Sequence, residues 1–221
     1  MSTKKYSFIY KNSLSIVFIL LFAISLIGQI YTGWQEYNNF LTDHHQASSA
    51  LSQYLSSGHF LQATFENWES EFLQMAIFVL FTVSLRQVGS SESKKLGVKE
   101  EVDRQPKYHK GSPWPVKKGG FILTLYKHSL SISLLILFIF SFLLHFYGSY
   151  RDFNEVQSLE GKATEDLATY RTNSRFWFES FQNWQSEFMS IFAIIFLSIY
   201  LREFGSPQSK PVDAPHIETG E

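Results

Sequence analysis

The chain has 221 residues, a formal net charge of −1 and no cysteine. The length allows one domain or two small ones, the near-neutral charge gives no sign of a nucleic-acid partner, and the absence of thiols excludes disulfides, thiolate metal sites and cysteine nucleophiles. Apolar residues gather in four blocks separated by polar segments, as a bilayer requires. We therefore expect an integral membrane protein whose main partner is the lipid bilayer.

The first and third apolar blocks are each long enough to cross a membrane as a helix. They cover residues 13–34 and 129–150, and neither contains Asp, Glu, Lys or Arg. A spanning helix needs about 20 such residues. The N-terminal block lacks a clear small-residue cleavage site and recurs in mid-chain, which argues against a cleaved signal peptide. Both blocks are therefore predicted to span the membrane.

The second and fourth apolar blocks, residues 72–85 and 188–201, are shorter. They reach spanning length only if the preceding Asn-Trp-x-Ser-Glu segment is included, which gives predicted spans at about 68–86 and 184–202. Each span then has a Trp near one interface and an Arg at the other. The predicted fold class is an all-α membrane protein with four transmembrane helices and short extracytoplasmic helices.

The two halves of the chain repeat one another at a constant offset of 116 residues. The segment YKNSLSI at 10–16 returns as YKHSLSI at 126–132, and NWESEF at 67–72 returns as NWQSEF at 183–188. We therefore predict two tandemly duplicated helical hairpins. The predicted order is a cytoplasmic N-terminus, first hairpin, linker, second hairpin and tail, at residues 1–12, 13–87, 88–125, 126–204 and 205–221.

The distribution of Lys and Arg predicts the orientation. Residues 35–85 contain neither, whereas the segment 88–127 contains nine, so the linker and both termini are expected in the cytoplasm. The linker and the tail are polar, contain Pro and Gly and lack apolar periodicity, so we expect them to be mostly disordered. We also expect a short helix within 47–60 and a helix cap among residues 172–174.

The acidic residues of the NWxSEF segments differ in how they repeat. Glu71 recurs as Glu187, whereas the positions equivalent to Glu66 and Glu69 hold glutamine in the second half. We expect Glu66 and Glu69 to lie near the interface, where water is available and replacement costs little. Glu71 and Glu187 would lie deeper, where an ionised group costs several kcal/mol unless it is paired.

Counting about 1.5 Å per residue from the cytoplasmic ends of the helices places Gln29 level with Glu71 and His145 level with Glu187. On the second and fourth spans, further polar residues share a helix face with each Glu. The predicted buried polar cluster comprises Glu71, Glu187, Gln29, His145, Asn67, Asn183, Gln74 and Ser190.

Two interpretations of this cluster remain open. In one, Glu71 and Glu187 hold a proton or a cation in a small transport or channel-like protein, with Gln29 and His145 as partners. In the other, each Glu is protonated or hydrogen-bonded and joins helices in a non-catalytic membrane scaffold or interaction protein. We favour the second because four spans are few for a pathway. A homo-oligomer or an unknown membrane protein partner is compatible with both.

The sequence lacks the short motifs of common enzymes. It has no Gly-rich phosphate loop, HExxH, GxSxG or Glu-x-x-His pair of the di-iron kind, so we expect no catalytic residue, no metal site and no cofactor. The segment DHHQ at 43–46, with His59, is a weak candidate for an external metal site. Adjacent histidines on a helix point in different directions.

Four segments combine aromatic and polar residues distinctively: SGHFLQATFENWESEFLQM at 57–75, WPVKKGG at 114–120, SRFWFESFQNWQSEF at 174–188 and GSPQSKPV at 205–212. With their duplicated NWxSEF halves, they resemble an uncharacterised family of bacterial integral membrane proteins that is known only as a domain of unknown function. The resemblance covers nearly the whole chain. It implies a location in the bacterial inner membrane, and it implies no activity or catalytic residues.

Overall fold

A computed structural model describes residues 6–220, so residues 1–5 of the predicted N-terminal segment and residue 221 of the tail lie outside the described range. Within that range the chain is helical and contains no β-strand. In chain order the helices are α1 (Phe8–Lys11), α2 (Ser13–Asp43), α3 (Leu51–Tyr54), α4 (Gly58–Ser84), α5 (Trp114–Lys118), α6 (Gly120–Lys127), α7 (Ser129–Leu159), α8 (Leu167–Tyr170) and α9 (Ser174–Tyr200), with a 3-10 turn at Glu101–Asp103.

The predicted all-α class is confirmed. Of the helices in residues 6–220, α2 and α7 are long and apolar enough to cross a membrane. The short helix expected within 47–60 is α3. The expected cap is also present, because the Asn173 side chain accepts a hydrogen bond from the backbone N–H of Arg175 at 2.9 Å, at the start of α9.

One compact unit comprises Met1–Ala63 and Tyr147–Leu167. Its small core contains aromatic and aliphatic residues from the end of α2, from α3 and from neighbouring segments: Tyr37, Leu41 and Tyr54, with Trp34, Phe40, Phe60 and Leu159 packed against them. Burial, with a smaller contribution from the nearby Glu36 carboxylate, raises the pKa of Tyr54 to about 12. This core therefore lies beyond the predicted spans, where apolar side chains would otherwise meet water.

Two asparagines of this unit hold the segments that follow α2 and α7. Asn38 Oδ1 accepts from the backbone N–H of Ser49 at 2.6 Å, and its Nδ2 donates to the Ser49 carbonyl oxygen at 3.2 Å. Asn154 forms the same pair of bonds with Glu165, at 2.8 and 3.0 Å. Each amide thereby satisfies both backbone groups of a residue in an irregular segment.

Replacing Asn38 by Ala is expected to lower the free energy of unfolding by about 1–3 kcal/mol, because the Ser49 N–H loses its acceptor and the Ser49 carbonyl oxygen keeps only the bond from Trp34 Nε1. The loss is measured as a lower thermal unfolding midpoint in detergent. Asn39→Ala changes the exposed neighbouring asparagine and serves as the matched control. Equal losses in the two variants would contradict the role of the Asn38 side chain.

The second compact unit comprises Thr64–Phe146 and Ala168–Glu221. The linker and tail were expected to be mostly disordered, yet their described residues form short helices, turns and defined hydrogen bonds. In the tail, Lys210 is 2 % exposed, and its Nζ donates to three backbone carbonyl oxygens, those of Pro215 (3.2 Å), His216 (3.0 Å) and Glu218 (2.8 Å). Ser, Pro and Gly support such local turns without apolar periodicity, so a periodicity criterion misses them.

Candidate functional site

Helices α4 and α9 bring acidic side chains to one buried histidine of α7. His145 on α7 and Glu69 on α4 are both 0 % exposed, and His145 Nδ1 lies 2.9 Å from Glu69 Oε2. On the other side of the ring, Glu179 on α9 places its Oε2 3.6 Å from His145 Nε2. The imidazole of His145 therefore lies between two carboxylates.

Each carboxylate at this site accepts a hydrogen bond from a nitrogen of a neighbouring side chain. The donors are Trp184 Nε1 to Glu69 Oε1 (2.9 Å), Arg175 Nε to Glu179 Oε1 (2.9 Å) and Asn183 Nδ2 to Glu66 Oε1. We refer to these residues as the His145 cluster: Glu66, Glu69, His145, Arg175, Glu179, Asn183 and Trp184. The donors orient the carboxylates and leave the second oxygen of Glu179 directed at the histidine.

Helices α7 and α9 carry buried polar atoms that the described part of the chain leaves without a hydrogen-bond partner. His145 Nε2 is buried and has no hydrogen-bond partner within residues 6–220, and the same holds for the hydroxyl groups of Ser141 and Ser180. Because an ionised carboxylate only accepts, the bond to Glu69 places a proton on Nδ1 of His145. An unsatisfied buried polar atom costs about 1–3 kcal/mol. The buried Nε2 of His145, which lacks a hydrogen-bond partner, is therefore available to a ligand.

The charges of the cluster do not balance. The carboxylates of Glu66, Glu69 and Glu179 contribute −3 and the guanidinium of Arg175 contributes +1, so the cluster carries −2 with a neutral imidazole and −1 when His145 is protonated as the ion-pair partner of Glu69 and Glu179. Uncompensated charge away from water costs several kcal/mol. The arrangement therefore favours the binding of positive charge.

The structure brings together only some residues of the predicted buried polar cluster. Gln74 Nε2 donates to Ser190 Oγ at 3.1 Å, so these two residues of the predicted cluster are in contact. His145 was expected beside Glu187 and instead contacts Glu69 and Glu179. Equal depth in two helices fixes the height of a side chain but not the direction in which it points, and this is why the pairing was wrong.

Burial within the chain differs among the acidic residues, whereas their depth in a membrane stays a prediction. Glu69, predicted to lie near water, is fully buried, whereas Glu71 is exposed on the surface of α4. Glu187 is half-buried on α9, and its carboxylate interacts electrostatically with that of Glu71. Asn67 is exposed. Gln29 belongs to the other compact unit, and its pairing with Glu71 stays a prediction.

Sequence reasoning missed the residues that surround His145 because it looked for acids that repeat. The acids that surround His145 have no acidic counterpart in the other half of the chain. Across the 116-residue offset, the acids and the histidine of the cluster are matched by uncharged residues, in the pairs Glu66 and Gln182, Glu69 and Gln185, His145 and Gln29, and Glu179 and Ala63, whereas Arg175 is matched by His59. A single buried site needs each charge once, so its acids need no charged counterpart in the other half of the chain.

A family model described as a domain of unknown function (DUF6766) matches residues 5–221. The match covers almost the whole chain and agrees with the resemblance found in the sequence. The matching family has no assigned activity, and the comparison indicates no enzyme family. No curated protein and no solved structure matches the chain.

Proposed function

We propose that this chain, which belongs to the DUF6766 family of unknown function, is a four-span integral membrane protein that binds a cation in the His145 cluster. The two apolar helices α2 and α7 supply the first and third spans. The 27 residues of α4 and of α9 give helices of about 40 Å, enough to cross a hydrocarbon layer of about 30 Å. We assign them as the second and fourth spans.

Hydrogen bonds that recur at the 116-residue offset support a tandem duplication. The hydrogen bonds between Asn38 and the backbone of Ser49 recur as those between Asn154 and the backbone of Glu165. Arg86 Nη1 donates to the Val83 carbonyl oxygen and Arg202 Nη1 to that of Ile199, each at 3.2 Å, at the ends of α4 and α9. The helix bounds follow the same offset, since α7 and α9 begin 116 residues after α2 and α4.

The proposed orientation places both termini and the linker in the cytoplasm of a bacterial cell, with the protein in the inner membrane. The natural absence of cysteine makes single-cysteine labelling a clean test. Cysteine at exposed position 48 or 164 is expected to react with a membrane-impermeant maleimide added to intact cells with a permeabilised outer membrane. Cysteine at position 96 or 217 is expected to react only after the inner membrane is opened. The reverse pattern would exclude this orientation.

The charge imbalance around His145 is the observation that carries the cation-binding function. The fully buried Glu69 and the half-buried Glu66 and Glu179 are contributed by two helices, and even with both Arg175 and a protonated His145 counted, one negative charge is left over. A bound cation would lower the cost of keeping the three acids together. The same charges give a site that selects positive ligands over neutral ones.

Cation binding predicts a thermal shift. Protein stripped with a chelator is titrated with Na⁺, K⁺, Mg²⁺, Ca²⁺, Mn²⁺ and Zn²⁺ in detergent. A cation at 100 times its Kd stabilises the folded state by about 2.7 kcal/mol, which raises the unfolding midpoint by roughly 5–10 °C for a chain of this size. Glu179→Gln is expected to reduce the shift, whereas Glu71→Gln, at the exposed acid, retains it. Absence of a shift with every cation would refute the proposal.

A scaffold or interaction role is the second candidate, and the surface of α2 is the place where a partner protein would bind. In the most apolar 18-residue window of this helix, 0 % of the residues are buried within the chain. Lipid acyl chains are the occupant that this composition favours. Affinity purification from native membranes, followed by cross-linking in nanodiscs, tests the alternative. A partner protein or second copy held by α2 would support a scaffold, and lipid alone would argue against it.

A further inference from the structure

We infer that the cation is a divalent transition metal ligated by Glu66, His145 and Glu179, an inference that rests on the proposed cation-binding function. One ligand atom from each of these residues lies within 4.8 Å of the others. The sequence predicted no metal site, because the ligands come from three helices and form no local motif. Folding alone brings them together.

The distances fit an ion after a small contraction. Metal bonds to carboxylate oxygen and imidazole nitrogen are about 2.0–2.2 Å long, so ligand atoms around one ion lie about 3–4 Å apart. Each side chain of the site therefore has to move by less than about 1 Å. Glu66 and Glu179 are half-buried, and rotation of their carboxylates can supply this movement.

Glu69 prepares the histidine as a ligand. Its carboxylate accepts from His145 Nδ1 at 2.9 Å and is itself held by Trp184 Nε1 at 2.9 Å. Metal-binding histidines commonly donate their other ring N–H to a carboxylate, which fixes the tautomer and the ring orientation. The lone pair is then on Nε2, which is buried, has no hydrogen-bond partner in the described chain and faces Glu179 Oε2 at 3.6 Å. Glu69 is thus a positioning residue.

Charge and ligand type both select the class of ion. A histidine that ligates a metal through Nε2 has a neutral imidazole, and with it the formal charge of the cluster is −2, which one divalent cation neutralises. One imidazole with two carboxylates suits Zn²⁺, Mn²⁺ or Fe²⁺, whereas Ca²⁺ and Mg²⁺ prefer shells made only of oxygen. Arg175 and Asn183 hold one oxygen of each carboxylate ligand, which keeps the acids oriented.

Direct titration tests this site. Chelator-stripped protein in nanodiscs is titrated with Zn²⁺ against a fluorescent chelator, and with Co²⁺ followed by its visible absorption. One ion per chain is expected. His145→Gln is expected to weaken Zn²⁺ binding at least 100-fold and to remove the imidazole contribution to the Co²⁺ spectrum. Glu69→Gln is expected to weaken binding by about 10–100-fold with the stoichiometry retained, and Glu71→Gln to leave it unchanged.

Glu66→Gln provides a ligand variant at a half-buried position, so its fold is less at risk than that of the His145 variant. Loss of Zn²⁺ binding in this variant, with an unchanged helical signal and elution volume, supports the site. Zn²⁺ binding that survives both ligand substitutions would overturn it. Stabilisation by Na⁺, K⁺, Mg²⁺ or Ca²⁺ without Zn²⁺ or Co²⁺ binding would overturn the transition-metal inference and retain cation binding. Stabilisation by no ion overturns both.

Discussion

Replacing Glu69 by Leu is expected to lower the free energy of unfolding by about 3–5 kcal/mol, the usual cost of removing one partner of a buried ion pair. Glu69 is 0 % exposed and accepts from both His145 Nδ1 and Trp184 Nε1. Leucine leaves both N–H groups without an acceptor. For a chain of this size the unfolding midpoint should fall by roughly 6–20 °C, as measured by circular dichroism in detergent.

Glu71→Leu is the matched control, two residues further along α4 and exposed. It removes the same charge and adds the same apolar volume, yet it breaks no contact of the His145 cluster, so no loss of stability is expected. A larger loss in Glu71→Leu than in Glu69→Leu would show that the recurring acid, and not the buried one, supports the fold.

The second large effect is expected at Gly148, where α7 passes close to α4 in the first compact unit. A Cβ at Gly148 would lie 2.5 Å from the backbone nitrogen of Gln62, and a Cβ at Gly58 would lie 2.3 Å from that of Asp152. Close helix crossings in membrane proteins depend on such small residues. Because backbone atoms cannot rotate away, Gly148→Ala is expected to destabilise the protein by about 3 kcal/mol.

Gly28→Ala is the control, because this substitution is expected to leave stability unchanged or to raise it slightly. A Cβ at Gly28 meets nothing within 4 Å, and this residue lies inside helix α2. Alanine favours the helix over glycine by up to about 1 kcal/mol, so this variant is expected to be unchanged or slightly more stable. Thermal unfolding of the two variants in the same detergent compares them. A stable Gly148→Ala protein would contradict the tight crossing.

The sequence by itself determined the helical class and the two apolar helices, because length and hydropathy are local properties. Residues 13–34 and 129–150 lie within α2 and α7, which continue to Asp43 and Leu159. The helix cap at Asn173 could also be predicted from the sequence, since an Asn before a helix accepts a hydrogen bond from a free backbone N–H. The ordered turns of the linker and tail could not be predicted from the sequence, because they depend on individual hydrogen bonds such as those of Lys210.

Only the tertiary structure decided which acids are buried. Glu69 and Glu71 are two residues apart in one segment, with the same side chain, and α-helical geometry turns them about 200° from each other. One therefore meets His145 while the other remains exposed. Which face of α4 turns inward depends on the contacts of α7 and α9, and these pair residues that lie far apart along the chain. Hydropathy and depth carry no information about that rotation.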